Sequence, residues 1–203
     1  FRTDDTQTEK PTFAMAFDSG AVKMSDIIDA SKPIHYGHFT IHDFHGKYRP
    51  LTVPEVFIYS SNIGAAKMAL AVGKEEQQDY LRRLGLLTKM QTDLPEVASP
   101  ILPPRWTDLT AMNVAFGQGI AVTPMQTAVA DAALVNGGWL IPPTFLKRSE
   151  ADAMKLAKRV IKKETSDKMR FLLRLNAEVG TARKADVKGY YVGGQTGTAE
   201  KVI

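Results

Sequence analysis

The order of apolar and polar positions divides the chain into a long helix-rich part and a late strand-like part. Residues 12–17 (TFAMAF) are apolar almost throughout, the pattern of a helix buried on every side. Asp18-Ser19-Gly20 then breaks it with a residue tolerant of positive φ. Residues 21–50 hold no sustained period, and their Gly, Pro, His and Asp content (SKPIHYGHFTIHDFHGKYRP) predicts loops with short extended pieces. In residues 51–72 (LTVPEVFIYSSNIGAAKMALAV), Thr52 ahead of Val53-Pro54 suits a helix start. Serines interrupt the apolar stretch, and an Ala-rich helix follows and ends at Gly73, so the serines fall between two helices.

Residues 74–84 (KEEQQDYLRRL) place Tyr80, Leu81 and Leu84 on one face, with acidic residues early, basic residues late and Gly85 as a stop. Thr123-Pro124-Met125-Gln126 has the form of a capping box, and the helix it opens runs to Asn136-Gly137-Gly138. Another helix is expected over residues 166–178, ending at Gly180. Beyond it, residues 187–192 (VKGYYV) and 198–203 (TAEKVI) read as strands joined across Gly193-Gly194-Gln195-Thr196-Gly197. Residues 139–141 and 159–161 are shorter strand candidates, and no internal repeat is visible.

At 203 residues with 44% hydrophobic content, the chain can bury one core, which predicts one domain or part of one. No apolar run reaches the roughly 18 residues a membrane helix needs. The start, FRTDDTQTEK, is too polar and acidic for a signal peptide, so the chain as it stands is expected to be soluble. The charge of +4 arises from 26 basic and 22 acidic residues dispersed along the sequence. The basic stretch KLAKRVIKK, residues 155–163, is interrupted by Leu156, Ala157, Val160 and Ile161; it reads as a solvated face rather than a nucleic-acid or membrane patch. Without cysteine there are no disulfides, thiolate metal sites or thiol nucleophiles, a composition that fits the periplasm.

His38, His42 and His45 would share one face of a helix as zinc ligands, but Gly37 and Gly46 argue against a helix there, so no metal site is expected. Gly117-Gln118-Gly119 lacks a third glycine and a preceding strand, which argues against nucleotide binding. No cofactor is expected.

Two short motifs carry candidate chemistry. Ser60-Ser61-Asn62 offers a hydroxyl and a carboxamide two residues apart where the chain turns, suited to relaying a proton and holding a carbonyl; the same residues also suit a plain helix cap. Gln195-Thr196-Gly197-Thr198, after two glycines, is a place where backbone can approach a ligand closely, or else a bulge or tight bend.

The two occur in order, with Phe116-Gly117-Gln118-Gly119 and Thr123-Pro124-Met125-Gln126 between them. In that combination the chain resembles the transpeptidase domain of class B penicillin-binding proteins, the division-specific septal type in particular. The resemblance rests on LTVPEVFIYSSNIGAAKMAL, FGQGIAVTPMQTAVADAALVNGG and GTARKADVKGYYVGGQTGTAEK, and spans most of residues 51–203. Serine acyltransferases that react with penicillin share Ser-x-x-Lys, Ser-x-Asn and Lys-Thr-Gly motifs. The resemblance implies an α+β penicillin-binding fold, a helical cluster packed on an antiparallel sheet. It implies cross-linking of peptidoglycan stem peptides through an acyl-enzyme, inhibition by β-lactams, and partners among other cell-division proteins at the periplasmic face of the inner membrane. Ser60 would then belong to the proton-transfer network and Asn62 would position the acyl group. Gln195, Thr196, Gly197 and Thr198 would line the substrate-carboxylate subsite, with the Thr198 N–H in the oxyanion hole.

The sequence also departs from that pattern. Counting back from Asp18 puts the expected Ser-x-x-Lys at Thr6-Gln7-Thr8-Glu9, so Thr6 is the nearest aligned position to the nucleophile and Glu9 stands where lysine is expected. Lys10 is one position late, a rotation of roughly 100° on a helix. Gln195 replaces the third-motif lysine. A fragment lacking the family's membrane anchor, pedestal and C-terminal strands is expected. A non-catalytic scaffold of the division machinery is the alternative these departures favour; a serine β-lactamase would need a deacylating glutamate in a context that is not found.

Overall fold

The computed structural model describes residues 8–197. Its centre is helix α1, Glu9–Asp18, in which all ten residues are buried. The apolar run TFAMAF has no polar face, so the helix is stable only when wrapped. It is wrapped by α3 (Asn62–Val72), α4 (Lys74–Arg83), α5 (Asp108–Ala115), α6 (Pro124–Val135) and α8 (Lys163–Val179). The Phe13 ring meets Phe57 of α2 (Val53–Tyr59) edge-on, with 4.9 Å between ring centroids. At the far end of α1, Asp18 is buried but satisfied: it accepts from the Tyr80 hydroxyl at 2.9 Å, the Lys162 N–H at 2.7 Å and the Thr165 hydroxyl at 2.7 Å. A buried carboxylate with three donors ties α1 to α4 and to the start of α8.

The local signals for helix starts hold. Thr52 and Glu55 form a reciprocal capping box at α2, and Thr123 and Gln126 form another at α6. Two helices had no periodic signal. Helix α5 is short, follows a Pro-rich stretch and is capped by Thr107, which accepts the Thr110 N–H at 3.2 Å. Helix α7, Glu150–Leu156, buries none of its residues and so has no apolar stripe to read.

The α+β arrangement expected from the resemblance holds, with the sheet reduced among the described residues to three two-stranded antiparallel ladders. β1 (Ile27–Asp29) pairs with β4 (Pro50–Thr52), and β2 (Ile34–Tyr36) pairs with β3 (Phe39–Ile41). β5 (Trp139–Leu140) pairs with β6 (Lys158–Arg159); β5 falls within the short candidate at 139–141, and β6 shares only Arg159 with the one at 159–161. The strand expected over residues 187–192 is not formed. Residues 188–190 turn instead, the Tyr190 N–H donating to the Val187 carbonyl at 3.1 Å, and the chain meets α8 only from Val192 on: Arg174 Nη1 donates to the Val192 carbonyl at 2.9 Å, and the Gly194 N–H donates to the Leu173 carbonyl at 3.1 Å. Valine and tyrosine favour a strand only where a neighbouring strand completes the ladder, and none lies beside this segment among the described residues. Residues 198–203, expected to pair with it, lie outside the described residues.

Candidate active site

Helix α2 ends where Ser60 turns into the left-handed region, with φ 52° and ψ 56°. The Ser60 and Ser61 N–H groups close the helix onto the Phe57 and Val56 carbonyls at 3.2 and 3.0 Å. Glycine is the usual residue for that conformation; a serine there bears about 1–2 kcal/mol of backbone strain, of the kind that collects at functional turns. The next residue, Ser61, caps α3 by accepting the Gly64 N–H at 3.0 Å and donates to Asp43 at 2.8 Å. Asn62 donates to the His42 carbonyl at 2.9 Å. The capping role and the cleft role expected of this motif thus fall to different residues: Ser61 caps, and Ser60 faces α1.

What Ser60 meets there is Glu9, the first residue of α1. The Ser60 hydroxyl donates to Glu9 Oε2 at 2.8 Å, and Gln195 Nε2 donates to the same oxygen at 2.7 Å. Ser60 and Gln195 lie 51 and 186 positions from Glu9 along the chain, and the fold brings both to one atom. The other oxygen, Oε1, is buried with no hydrogen-bond partner among the described residues. Burial pushes the Glu9 carboxyl up to about 7, against the opposing pull of the bonds from Ser60 and Gln195. Because both donors point at Oε2, a proton held by Glu9 belongs on Oε1. Ionised, the same group accepts two hydrogen bonds and leaves negative charge in the middle of the site.

Lys10 acts on Glu9 through its charge, and its described ion pair is made elsewhere. Its ammonium lies 2.5 Å from Asp131 of α6, with 9% of its side chain exposed, so the one-residue offset turns it to a different face of α1. Gln195 lies in a segment outside any helix or strand, its amide oxygen accepting from Asn176 Nδ2 at 2.5 Å. Thr196 and Gly197 are exposed beside it. Thr6 and Thr198 lie outside the described residues.

Residues 35–45 form a hairpin and loop rather than a helix, with His35 in β2 and bonded to Thr40 at 3.0 Å. Among the described residues no three His, Cys, Asp or Glu side chains converge as a metal site, and no helix is long and apolar enough to cross a membrane. Sequence reasoning missed Asp43, Asp131 and Asn176. None carries a local signal, because each matters through a partner at least 18 residues away.

Over residues 10–203 the chain matches the family described as the penicillin binding protein transpeptidase domain. It is 37% identical over 193 residues to the probable peptidoglycan D,D-transpeptidase FtsI of Caulobacter vibrioides, covering 94% of this chain and 33% of that protein. It is 38% identical over 162 residues to stage V sporulation protein D of Bacillus subtilis, covering 74% of this chain and 25% of that one. The apo structure of the TP domain of Burkholderia pseudomallei penicillin-binding protein 3 superposes with a TM-score of 0.90 at 29% identity, covering 100% of this chain and 62% of that one. The chain therefore spans a third or less of the length of these two curated relatives.

Proposed function

The chain belongs to the penicillin-binding protein transpeptidase family, and on that premise we propose that it is part of a D,D-transpeptidase that cross-links peptidoglycan stem peptides during septal wall synthesis. In this reading a hydroxyl attacks the carbonyl of the penultimate D-alanine, the C–N bond to the terminal D-alanine breaks, and that residue leaves as the amine. An amine of a neighbouring strand then attacks the ester, forms the new amide and frees the hydroxyl. β-Lactams acylate the same hydroxyl because their strained amide presents the same carbonyl. The whole protein would work at the periplasmic face of the inner membrane alongside other division proteins.

What supports this reading most is the convergence of the Ser60 hydroxyl and the Gln195 carboxamide on Glu9, at the start of the buried helix. Residues of the second and third motifs thereby meet at the helix that would carry the first. Ser60 would pass protons, Asn62 would hold the acyl carbonyl, and Gln195, Thr196, Gly197 and Thr198 would receive the terminal carboxylate. No nucleophile is recognised in the sequence, and Thr6 is only the nearest aligned position for the attacking hydroxyl.

The departures set the rate. A hydrogen bond from a charged donor is worth about 1.5–3 kcal/mol and a neutral one about 1, a difference of about 0.5–2 kcal/mol, so Gln195 in place of lysine slows acylation by roughly two- to thirtyfold. Ionised Glu9 adds negative potential where a substrate carboxylate must bind. The test is exchange: the chain is incubated with a stem pentapeptide and a labelled D-amino acid, and loss of the terminal D-alanine is followed by mass spectrometry. Slow exchange is expected, quickened by Gln195→Lys. No exchange in either protein would overturn the catalytic reading in favour of a non-catalytic division scaffold.

A further inference from the structure

Gln195 has two chemically different ends, and which of them faces the cleft decides whether the third motif offers a donor or an acceptor. The structure supplies a reason for the choice that begins at the backbone. The Thr181 N–H can only donate, and it reaches Asn176 Oδ1 at 2.9 Å; the Thr181 hydroxyl donates to the same oxygen at 3.2 Å. The Gly194 carbonyl can only accept, and it takes an N–H from Asn176 Nδ2 at 2.9 Å. Those two backbone groups fix the orientation of the Asn176 amide without appeal to its flip state. Its second N–H is then aimed at Gln195 Oε1, 2.5 Å away, which leaves Gln195 Nε2 facing Glu9 at 2.7 Å. Reversing Gln195 would set its oxygen against the Glu9 oxygen and its N–H groups against those of Asn176.

We infer that Asn176 is a positioning residue of this site, holding Gln195 so that the third motif presents N–H groups to Glu9 and to the cleft. The inference rests on the reading of Gln195 as part of the substrate-carboxylate subsite. Asn176 is fully buried in the last turn of α8, and all four of its hydrogen-bonding positions are used. It also ties the third motif to the second. Its anchor, the Thr181 N–H, lies 3.2 Å from the carbonyl of Ile58, two residues before Ser60. Gly180 makes this approach possible, since a Cβ there would lie 2.0 Å from Asn176 Oδ1. Among the described residues Gln195 Nε2 donates to Glu9 alone, so its second N–H is the one that would meet a substrate carboxylate in this reading. Asn176 therefore favours an anionic ligand group at a position where the lysine charge has been lost.

The test reads the charge state of Glu9, on which Lys10 and Asp43 also act. The chain is labelled with glutamate carrying carbon-13 at Cδ, and the Glu9 signal is assigned by its loss in Glu9→Gln. A titration midpoint near 7 is expected in the unaltered chain. Asn176→Leu releases Gln195, weakens its bond to Glu9, and raises that midpoint by about half to one pH unit. In a Gln195→Ala background the same change has no route to Glu9 and leaves the midpoint where Gln195→Ala puts it. An unshifted midpoint in Asn176→Leu, or an equal shift in both backgrounds, overturns the inference. If Asn176→Leu does not fold, the unaltered chain still decides. The Gln195 side-chain NH₂ resonances must move with the Glu9 titration, and their indifference to it overturns the inference as well. Because the readout is a titration and not an acylation, it is independent of the outcome for D-alanine exchange.

Discussion

Glu9 concentrates the chemistry of this chain in one carboxyl group. Counting back from Asp18 places it where the resemblance expects lysine, and that much was legible in the sequence. That Ser60 and Gln195 would both settle on its Oε2 was not, because no local pattern brings residues 9, 60 and 195 together. Its folded-state pKa of about 7 lies above the ordinary 4.5, so the folded protein holds a proton that the unfolded chain releases more readily. The sign follows: this contribution to stability is fully present below about 4.5 and is lost as pH rises through about 7. Its size is on the order of 3 kcal/mol, because each pH unit between the folded and unfolded values is worth roughly 1.4 kcal/mol. Glu9→Gln carries no titrating group and removes the effect. Urea unfolding at pH 5 and pH 8 should therefore show the unaltered chain losing more stability across that interval than the variant. Equal losses would mean that Glu9 titrates near its ordinary value.

At the scale of elements, the helix starts were legible and the strands only in part. A cap is a local event: Thr52 with Glu55, and Thr123 with Gln126, each complete their bonds within four residues, so sequence alone announces them. A strand needs a partner from elsewhere. Residues 187–192 had the side chains for one and form a turn that meets α8 only at Val192, while α7, with no buried face, left nothing periodic to read. The junction between α2 and α3, which sets Ser60, depends on close packing that no pattern reveals. A Cβ on Gly64 would sit 2.4 Å from Val56 Cγ1, and Val56 is a stiff, fully buried side chain on α2. Gly64→Ala gains about 1 kcal/mol of helix propensity and meets overpacking of about 1–3 kcal/mol, so a net loss of stability is expected. Thermal unfolding checks it, and a raised Tm would mean that the two helices separate without cost.

For the whole molecule, the fold places an apolar helix at the centre and assembles the candidate site at its N-terminal end from the α2–α3 turn and the segment after α8. The ancestry was legible because Ser60-Ser61-Asn62 and Gln195-Thr196-Gly197-Thr198 kept their order, with Phe116-Gly117-Gln118-Gly119 and Thr123-Pro124-Met125-Gln126 between them; the activity was less so, because lysine is replaced at Glu9 and at Gln195 and the nearby Thr6 and Thr198 lie outside the described residues. The family membership and the fold agree with an acyl-transferring cleft, and the substituted lysines predict a slow one. The most direct measurement is incubation with a fluorescent penicillin, followed by mapping of any adduct by mass spectrometry, for the unaltered chain and for Gln195→Lys. The account predicts a covalent adduct at a hydroxyl, for which Thr6 is the nearest aligned position, forming roughly two- to thirtyfold faster in Gln195→Lys; no adduct at any hydroxyl in either protein would contradict it.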